Sequence, residues 1–587
     1  MTTMSDPFSA MLDALPAGLH DTLQRRFDRH EGILRERLQR LYGHLPGHDA
    51  WYAALLAEVG RLMAARPAAL QALDATRERQ PDWFCAPAML GYSAYVDRFG
   101  GDLRGVAARI PHLRELGVTY LHLLPFLKPR TGESDGGFAV ASFDDVDPRL
   151  GTMDDLEDLA ARLRAAGISL CSDLILNHVA DDHPWAAGAR AGDARLRGFF
   201  HVLPERDQAD AYERTLGQVF PEAAPGNFTF DAEMGGWVWT TFYPFQWDLN
   251  YANPALFAAV ALALLRLANR GIEVFRLDST AFLWKRLGTD CMNQPEAHTL
   301  LQALRALVAI AAPGVLLKAE AIVPTRALPA YFGTADAPEC HLAYHSTLMT
   351  AGWAALAEQD ARLVRAVVDG TPALPPHTSW LTYVRCHDDI GWKHLLPEAG
   401  DIGRLAAVAD FYNGARGFAD GVAFQGSLAT NGTAASLCGL RHGDPEAAVR
   451  RVLLLHALAL AFGGLPMLYM GDELGMVNDH GYLLDPARAH DSRWVQRAAF
   501  PTDAAAGPIY HGLRRLIALR SRHPDLAAGV PCTALETSDP ALLALARGTR
   551  FLGLFNFSDR AVAAPGGHVL RPWECVWLDR ESGEPLI

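Results

Sequence analysis

The chain has 587 residues, half of them hydrophobic, and a formal net charge of −14. This length allows several domains and a large core. The composition excludes a disordered chain, and the acidic balance excludes a nucleic-acid binder, which would need a basic patch to neutralise phosphates.

Residues 1–7 lack a basic stretch followed by an apolar run, so no secretory leader is expected. The eight cysteines are scattered without a CxxC pair. That argues against a zinc or disulfide framework and for a reducing cytoplasm. Residues 19–42 carry Leu23, Phe27, Ile33, Leu34, Leu38 and Leu41 at helical spacing, with Gly43 as the stop. Two more helices are expected over 51–65 and 68–77, completing a helical N-terminal domain, 1–84.

Organisation then changes. Apolar strand-like runs at 93–96, 118–124, 168–175, 272–277, 315–319, 342–344, 380–384 and 465–470 alternate mostly with helical stretches. Eight such units predict an α/β fold, a (β/α)8 TIM barrel. The barrel is expected over 85–177, 253–388 and 451–522. It is interrupted by loop subdomains at 178–252 and 389–450, connections too long to be simple loops. Short strands after 523 predict a C-terminal β-sandwich domain, 523–587. The apolar stretch 452–470 is broken by His456, Gly463, Gly464 and Pro466, and reads as a buried helix plus strand rather than a membrane span.

Three carboxylates stand at or just past strand-like runs: Asp278 ending Val274-Phe275-Arg276-Leu277-Asp278, Glu320 after Leu317-Lys318-Ala319, and Asp388 after Val384-Arg385-Cys386-His387. One Asp at a strand end is usually a turn or cap residue. Three in this order, with Arg276 before the first and His387 before the third, suit a retaining glycosidase, which needs a nucleophile and a general acid facing each other across a sugar.

With Asp173-Leu174-Ile175-Leu176-Asn177-His178 added, these motifs together resemble the four signature regions of glycoside hydrolase family 13, the α-amylase superfamily. Longer stretches resemble its amylosucrase and sucrose hydrolase branch: Ser134-Asp135-Gly136-Gly137-Phe138-Ala139-Val140, Trp237 to Phe242, Phe245 to Tyr251, Val384 to Trp392 and Asp491-Ser492-Arg493-Trp494-Val495. The resemblance covers nearly the whole chain.

It implies that Asp278 is the nucleophile, Glu320 the acid then base, and Asp388 the transition-state stabiliser. Arg276 would keep Asp278 ionised. His178 and His387 would donate to glucosyl hydroxyls, with Asp173 as a scaffold and sugar contact. Asp135 and Arg493 would close the bottom of a pocket for one terminal glucosyl unit. Phe138 and Phe245 would line that pocket, and Asp389 would contact the fructosyl moiety. Asn177 matches a calcium position of many α-amylases, but the sucrose-acting branch does not generally depend on the metal, so neither metal nor cofactor is expected. The expected partner is sucrose, with an α-glucan as a possible acceptor, no nucleic acid and no membrane. A monomer or homodimer is expected.

The chain departs from the polymer makers at Gly217 and Ala429, where their pattern has Arg, and 417–431 is shortened. Losing two guanidinium clamps weakens acceptor binding. The expectation is therefore sucrose hydrolysis with some transglucosylation. The alternative is an amylosucrase extending an α-1,4-glucan. Phosphorolysis and isomerisation are related outcomes, and a catalytically dead binding protein is disfavoured because all three carboxylates are present.

Overall fold

The computed structural model describes residues 7–321, 323–415, 417–424, 428–503 and 505–586. Eight parallel strands close a barrel in chain order: β1 (Gly91–Ala94), β2 (Tyr120–Leu123), β3 (Ser169–Ile175), β4 (Val274–Asp278), β5 (Leu316–Ala319), β6 (Leu342–Tyr344), β7 (Ser379–Tyr383) and β8 (Leu465–Tyr469), which pairs back with β1. The strands are nearly continuous apolar runs because both faces are covered, the outer one by helices. The first strand lies two residues earlier than its pattern predicts. Val96 instead starts a short helix, Val96–Phe99, which buries both end residues.

Register places Asp173 of β3 beside Arg276 of β4, and Arg276 beside Lys318 of β5. A cation is thereby set between polar neighbours inside an otherwise apolar barrel.

Ahead of the barrel, helices His20–Tyr42, His48–Ala64 and Ala68–Arg79 bury their apolar stripes, Leu23, Leu34, Leu38 and Leu41 on the first. That helix packs on Pro295–Ala311, the helix before β5. Arg77 donates to Glu273, just before β4, at 2.5 Å, and Tyr42 Oη donates to the Tyr251 carbonyl at 2.8 Å. The ends of the first and third helices are thus tied by polar bonds to the excursion between β3 and β4 and to the start of β4.

Between β3 and β4 the chain leaves the barrel. His178–Ala180 pairs with Gln246–Asp248, and Phe228–Asp231 forms a hairpin with Gly236–Trp239. After β7 a small sheet of Ile390–Gly391, Val422–Ala423 and Ala429–Asn431 forms the second excursion. Part of the shortened 417–431 segment, including residues 425–427, lies outside the described residues.

At the C-terminus, Cys532–Leu535, Leu542–Arg547, Phe551–Asn556 and Cys575–Asp579 make an antiparallel sheet. Leu543, Leu545, Phe555 and Trp577 join the main core, while Leu542, Ala544, Leu554 and Leu578 are covered by the ribbon residues Val562 and Leu570. The sequence between 452 and 470 is the end of helix Pro445–Phe462 followed by β8. Among the described residues no helix is long and apolar enough to cross a membrane.

Candidate active site

Asp278 is the last residue of β4, Glu320 follows β5 directly, and Asp388 lies on the loop leaving β7. All three reach the same end of the barrel, where strand C-termini and their loops build sites. Arg276 Nη1 donates to Asp278 Oδ1 at 2.7 Å and to Asp173 Oδ1 at 2.6 Å. Its Nη2 is 4.0 Å from Glu320 Oε1. Ser279 Oγ donates to the other oxygen of Asp278, at 2.8 Å. Asp278 is therefore oriented from both sides by charge-assisted and hydroxyl hydrogen bonds.

Asp173 does not reach toward a ligand. Its second oxygen is bound by His122 Nε2 at 3.0 Å, and it is buried. Burial alone would raise this carboxyl, yet His122 and Arg276 hold it below the usual carboxylate range. Asp173 thus supports Arg276, and the sugar contact expected of it is not available.

Glu320 has the opposite environment. Burial pushes its carboxyl up to about 7; Arg276 and the Ser279 N–H (2.8 Å) oppose this, while Asp278 and Asp388 add to it. A carboxyl raised toward neutrality beside a second carboxyl that a guanidinium holds in place is the arrangement that acid and nucleophile require. Asp388 lies 3.8 Å from Arg493 and 3.7 Å from Arg497. Its backbone carbonyl accepts from Arg385 at 2.8 Å and Gln496 at 2.7 Å, which fixes the loop.

Facing these groups, Arg493 Nη2 donates to Asp135 Oδ1 at 2.8 Å. Arg493 Nε also reaches both oxygens of Asp491 at 3.0 Å, and the guanidinium lies 5.4 Å from the Phe220 ring centre and 5.3 Å from that of Phe424. Gln246 Nε2 bridges Asp135 (3.3 Å) and His178 (3.0 Å). Asp135 has a φ of +51°, a strained left-handed conformation that aims its side chain inward. Phe138 stacks on His387, with centroids 5.4 Å apart and planes within 6°. Burial lowers both His178 and His387, which are neutral donors or acceptors at physiological pH.

Phe245 stacks on Tyr243 and joins an aromatic cluster with Phe220 and Phe424 beside Arg493. The ring that meets His178 is that of Phe242, at 5.1 Å. Asp389 lines the opening with Glu320 and Asp388, and burial, reinforced by Asp388, pushes its carboxyl up to about 6.

Asn177 is buried next to a cation, but that cation is Lys285. The ammonium lies 2.6 Å from Asp248 Oδ2, 2.9 Å from the Phe282 carbonyl, 3.4 Å from Asn177 Oδ1 and 3.5 Å from Thr241 Oγ1. An oxygen cage of this kind is satisfied by a full positive charge on a side chain.

The expected residues thus converge, with Asp173 one layer below. Sequence reasoning missed Tyr95, whose ring lies 6.0 Å from that of His387, and His122, Phe242, Gln246, Lys285, Lys318, Asp491 and Arg497. Gln246 and Asp491 lie inside the stretches already singled out, and their polarity within apolar or aromatic runs was a usable signal. Lys285 and Arg497 carried none, because only folding brings them in.

The family described as alpha amylase, catalytic domain, matches residues 64–410. The trehalose synthase/amylase TreS of Mycolicibacterium smegmatis is 30% identical over 477 residues, 76% of each chain. A glucosylglycerate phosphorylase of Allomeiothermus silvanus is 30% identical over 490 residues, 78% of this chain and 84% of its own. Among solved structures, the sucrose 6F-phosphate phosphorylase of Thermoanaerobacter thermosaccharolyticum superposes with a TM-score of 0.66 at 17% identity, over 85% of this chain and 97% of the other. The trehalulose synthase MutB of Pseudomonas mesoacidophila gives 0.62 at 18% identity, over 84% and 99%.

Proposed function

The chain belongs to the α-amylase family and acts on glucosides, and from that premise we propose that it cleaves sucrose with retention, mainly hydrolysing it to glucose and fructose. The observation that carries the reading is the Asp135–Arg493 bond at 2.8 Å facing the three carboxylates. A pocket closed by a buried ion pair accepts a terminal glucosyl unit and blocks an internal segment of a glucan. Small glucosides recur in the names of the relatives.

In this mechanism Asp278 attacks the anomeric carbon while Glu320 gives its proton to the departing oxygen. A covalent β-glucosyl-enzyme and free fructose result. Glu320, now a carboxylate, takes a proton from water, and the hydroxide oxygen displaces Asp278. Asp388 and His387 hold sugar hydroxyls as positive charge develops at the anomeric carbon. Arg276 pairs with Asp278 and orients it before the first step, and pairs with it again after the second.

Transfer to a sugar acceptor, as in an amylosucrase, is the second reading. It is favoured by the opening that Glu320, Asp388 and Asp389 line together. Purified enzyme incubated with sucrose alone tests both. Near-equal free glucose and fructose supports hydrolysis. A large fructose excess with iodine-staining glucan supports transfer. Release of neither sugar, or rearrangement to another disaccharide, overturns the assignment.

A further inference from the structure

Four consecutive barrel strands each place one polar side chain in the interior: His122 of β2, Asp173 of β3, Arg276 of β4 and Lys318 of β5. All are buried, Lys318 completely. Parallel register sets Asp173 level with Arg276 and Arg276 level with Lys318. The side chains form an unbroken series. Lys318 Nζ lies 3.4 Å from His122 Nδ1, His122 Nε2 lies 3.0 Å from Asp173 Oδ2, and Asp173 Oδ1 accepts from Arg276 Nη1 at 2.6 Å. The same Nη1 donates to Asp278 at 2.7 Å.

Lys318 is the member that core packing does not explain. Among the described residues its ammonium pairs with no carboxylate. Besides His122 it meets the rings of Tyr344 and Tyr120, 4.9 and 5.3 Å from their centres. Burial lowers its pKa to about 8; Arg276 adds to this, while Cys171 and Asp173 oppose it. The ammonium therefore prevails at neutral pH. A buried charge without a partner of opposite sign is costly, and an apolar side chain of the same shape avoids that cost.

The charge has a use at the other end of the series. Asp173 and Asp278 share one nitrogen of one guanidinium, and Arg276 Nε is buried without a partner. The nitrogen that orients Asp278 is thus held from behind by Asp173, whose second oxygen depends on His122. An ammonium can only donate, so it makes His122 Nδ1 the acceptor and leaves the ring proton on Nε2, facing Asp173. Burial, reinforced by the Lys318 charge, keeps that ring neutral, with its pKa lowered to about 4. Hydrogen bonds in series polarise one another, so the charge at Lys318 strengthens each later link.

Resting on the retaining, sucrose-cleaving reading, we propose that Lys318 is a positioning residue of the reaction: acting through His122, Asp173 and Arg276, it holds Asp278 in the geometry from which that carboxylate attacks the anomeric carbon. Lys318 itself touches no substrate atom in this scheme.

The test uses 5-fluoro-α-glucosyl fluoride, whose leaving group needs little help from an acid. A carboxylate oxygen of Asp278 bonds to the anomeric carbon, the C–F bond breaks and fluoride departs. The ring fluorine slows the second step, so the glucosyl-enzyme accumulates and is located on Asp278 by peptide mass spectrometry. Lys318→Met keeps the length of the side chain and removes the charge. Its inactivation rate constant falls about tenfold or more, the loss of one charge-assisted hydrogen bond. KI for the reagent stays within about twofold of wild type, a split that a merely structural loss would not give. His122→Phe shows a similar fall, and the double variant is within about twofold of the slower single one, because the residues act in one series. Lys318→Gln, which also lacks the charge, carries the same test if Lys318→Met does not fold. An inactivation rate constant within about twofold of wild type, a KI that rises as much as the rate constant falls, or losses that multiply in the double variant overturn the assignment. If wild type is not labelled, the retaining reading fails by itself. The series is then read from crystal structures of wild type and Lys318→Met. Displacement of Arg276 from Asp278 in the variant supports the positioning role, and side chains that superpose on those of wild type overturn it.

Discussion

Arg493 and Asp135 meet at 2.8 Å, although they lie on loops after β8 and β2 at opposite ends of the barrel sequence. Their environments are unequal. Arg493 also holds Asp491, whereas Asp135 relies on Arg493 and the weaker Gln246 contact. Removing Asp135 leaves Arg493 still paired; removing Arg493 strands two buried carboxylates. Arg493→Ala should therefore cost about 3–5 kcal/mol of stability and Asp135→Ala less. Both should lower kcat/KM on sucrose at least about a hundredfold through loss of glucosyl positioning. Denaturant unfolding and steady-state kinetics measure the two effects. Equal stability losses would show that Arg497, 3.9 Å from Asp491, holds that carboxylate without Arg493.

In the proposed mechanism Glu320 sets the alkaline limit of the reaction. Its carboxyl, pushed up to about 7 by burial, is protonated below that pH and ionised above it. The first step needs the proton, so kcat/KM on sucrose should fall tenfold per pH unit above about 7. Glu320→Gln should abolish that limb and reduce sucrose turnover roughly 10²–10⁴-fold. Turnover of α-glucosyl fluoride, whose leaving group needs less protonation, should suffer less in forming the glucosyl-enzyme. An alkaline limb unchanged in the Gln variant would remove Glu320 from the role of acid.

The carboxylates were legible because each stands at or shortly after the C-terminal end of a strand, Asp278 on the strand itself, Glu320 next to it and Asp388 on the loop that follows. The eight strands were legible because strands buried on both faces become unbroken apolar runs. What the sequence did not disclose are groups whose role depends on closure of the barrel. Lys318 and His122 read as ordinary strand residues until register places them beside Arg276 and Asp173. Arg497 is one more arginine after β8 until its Nε reaches the His387 carbonyl at 3.1 Å. The resemblance points to Phe245 as a pocket residue, and only the folded chain shows that Phe242 is the ring beside His178 while Phe245 stacks on Tyr243.

Lys285 makes a prediction about metals. Its ammonium is buried against Asp248, with side-chain exposures of 1% and 0%. A divalent ion and this ammonium cannot share the same oxygens. Prolonged chelation should leave both Tm and activity of the wild type unchanged. Lys285→Met should cost about 3–5 kcal/mol by stranding Asp248. Loss of wild-type activity under chelation, restored by calcium, would place a required metal elsewhere in the molecule.

The two positions that separate this chain from the polymer makers are not equally open to repair. Gly217 is exposed, and nothing lies within 4 Å of a Cβ built on it. Ala429 is buried in the cluster of Phe220, Phe245 and Phe424 and pairs with Gly391. Gly217→Arg should be tolerated within about 0.5 kcal/mol, as for most surface changes. It supplies a multi-donor group for acceptor hydroxyls, so the ratio of free glucose to free fructose should drop below the wild-type value as more glucosyl units reach sugars. Ala429→Arg must bury a guanidinium among aromatic rings and should cost several kcal/mol, visible as a lowered Tm. If Gly217→Arg leaves the sugar ratio unchanged at high acceptor concentration, an arginine at that loop is not what limits transfer. The partition between water and sugar would then be set closer to the reacting carbon.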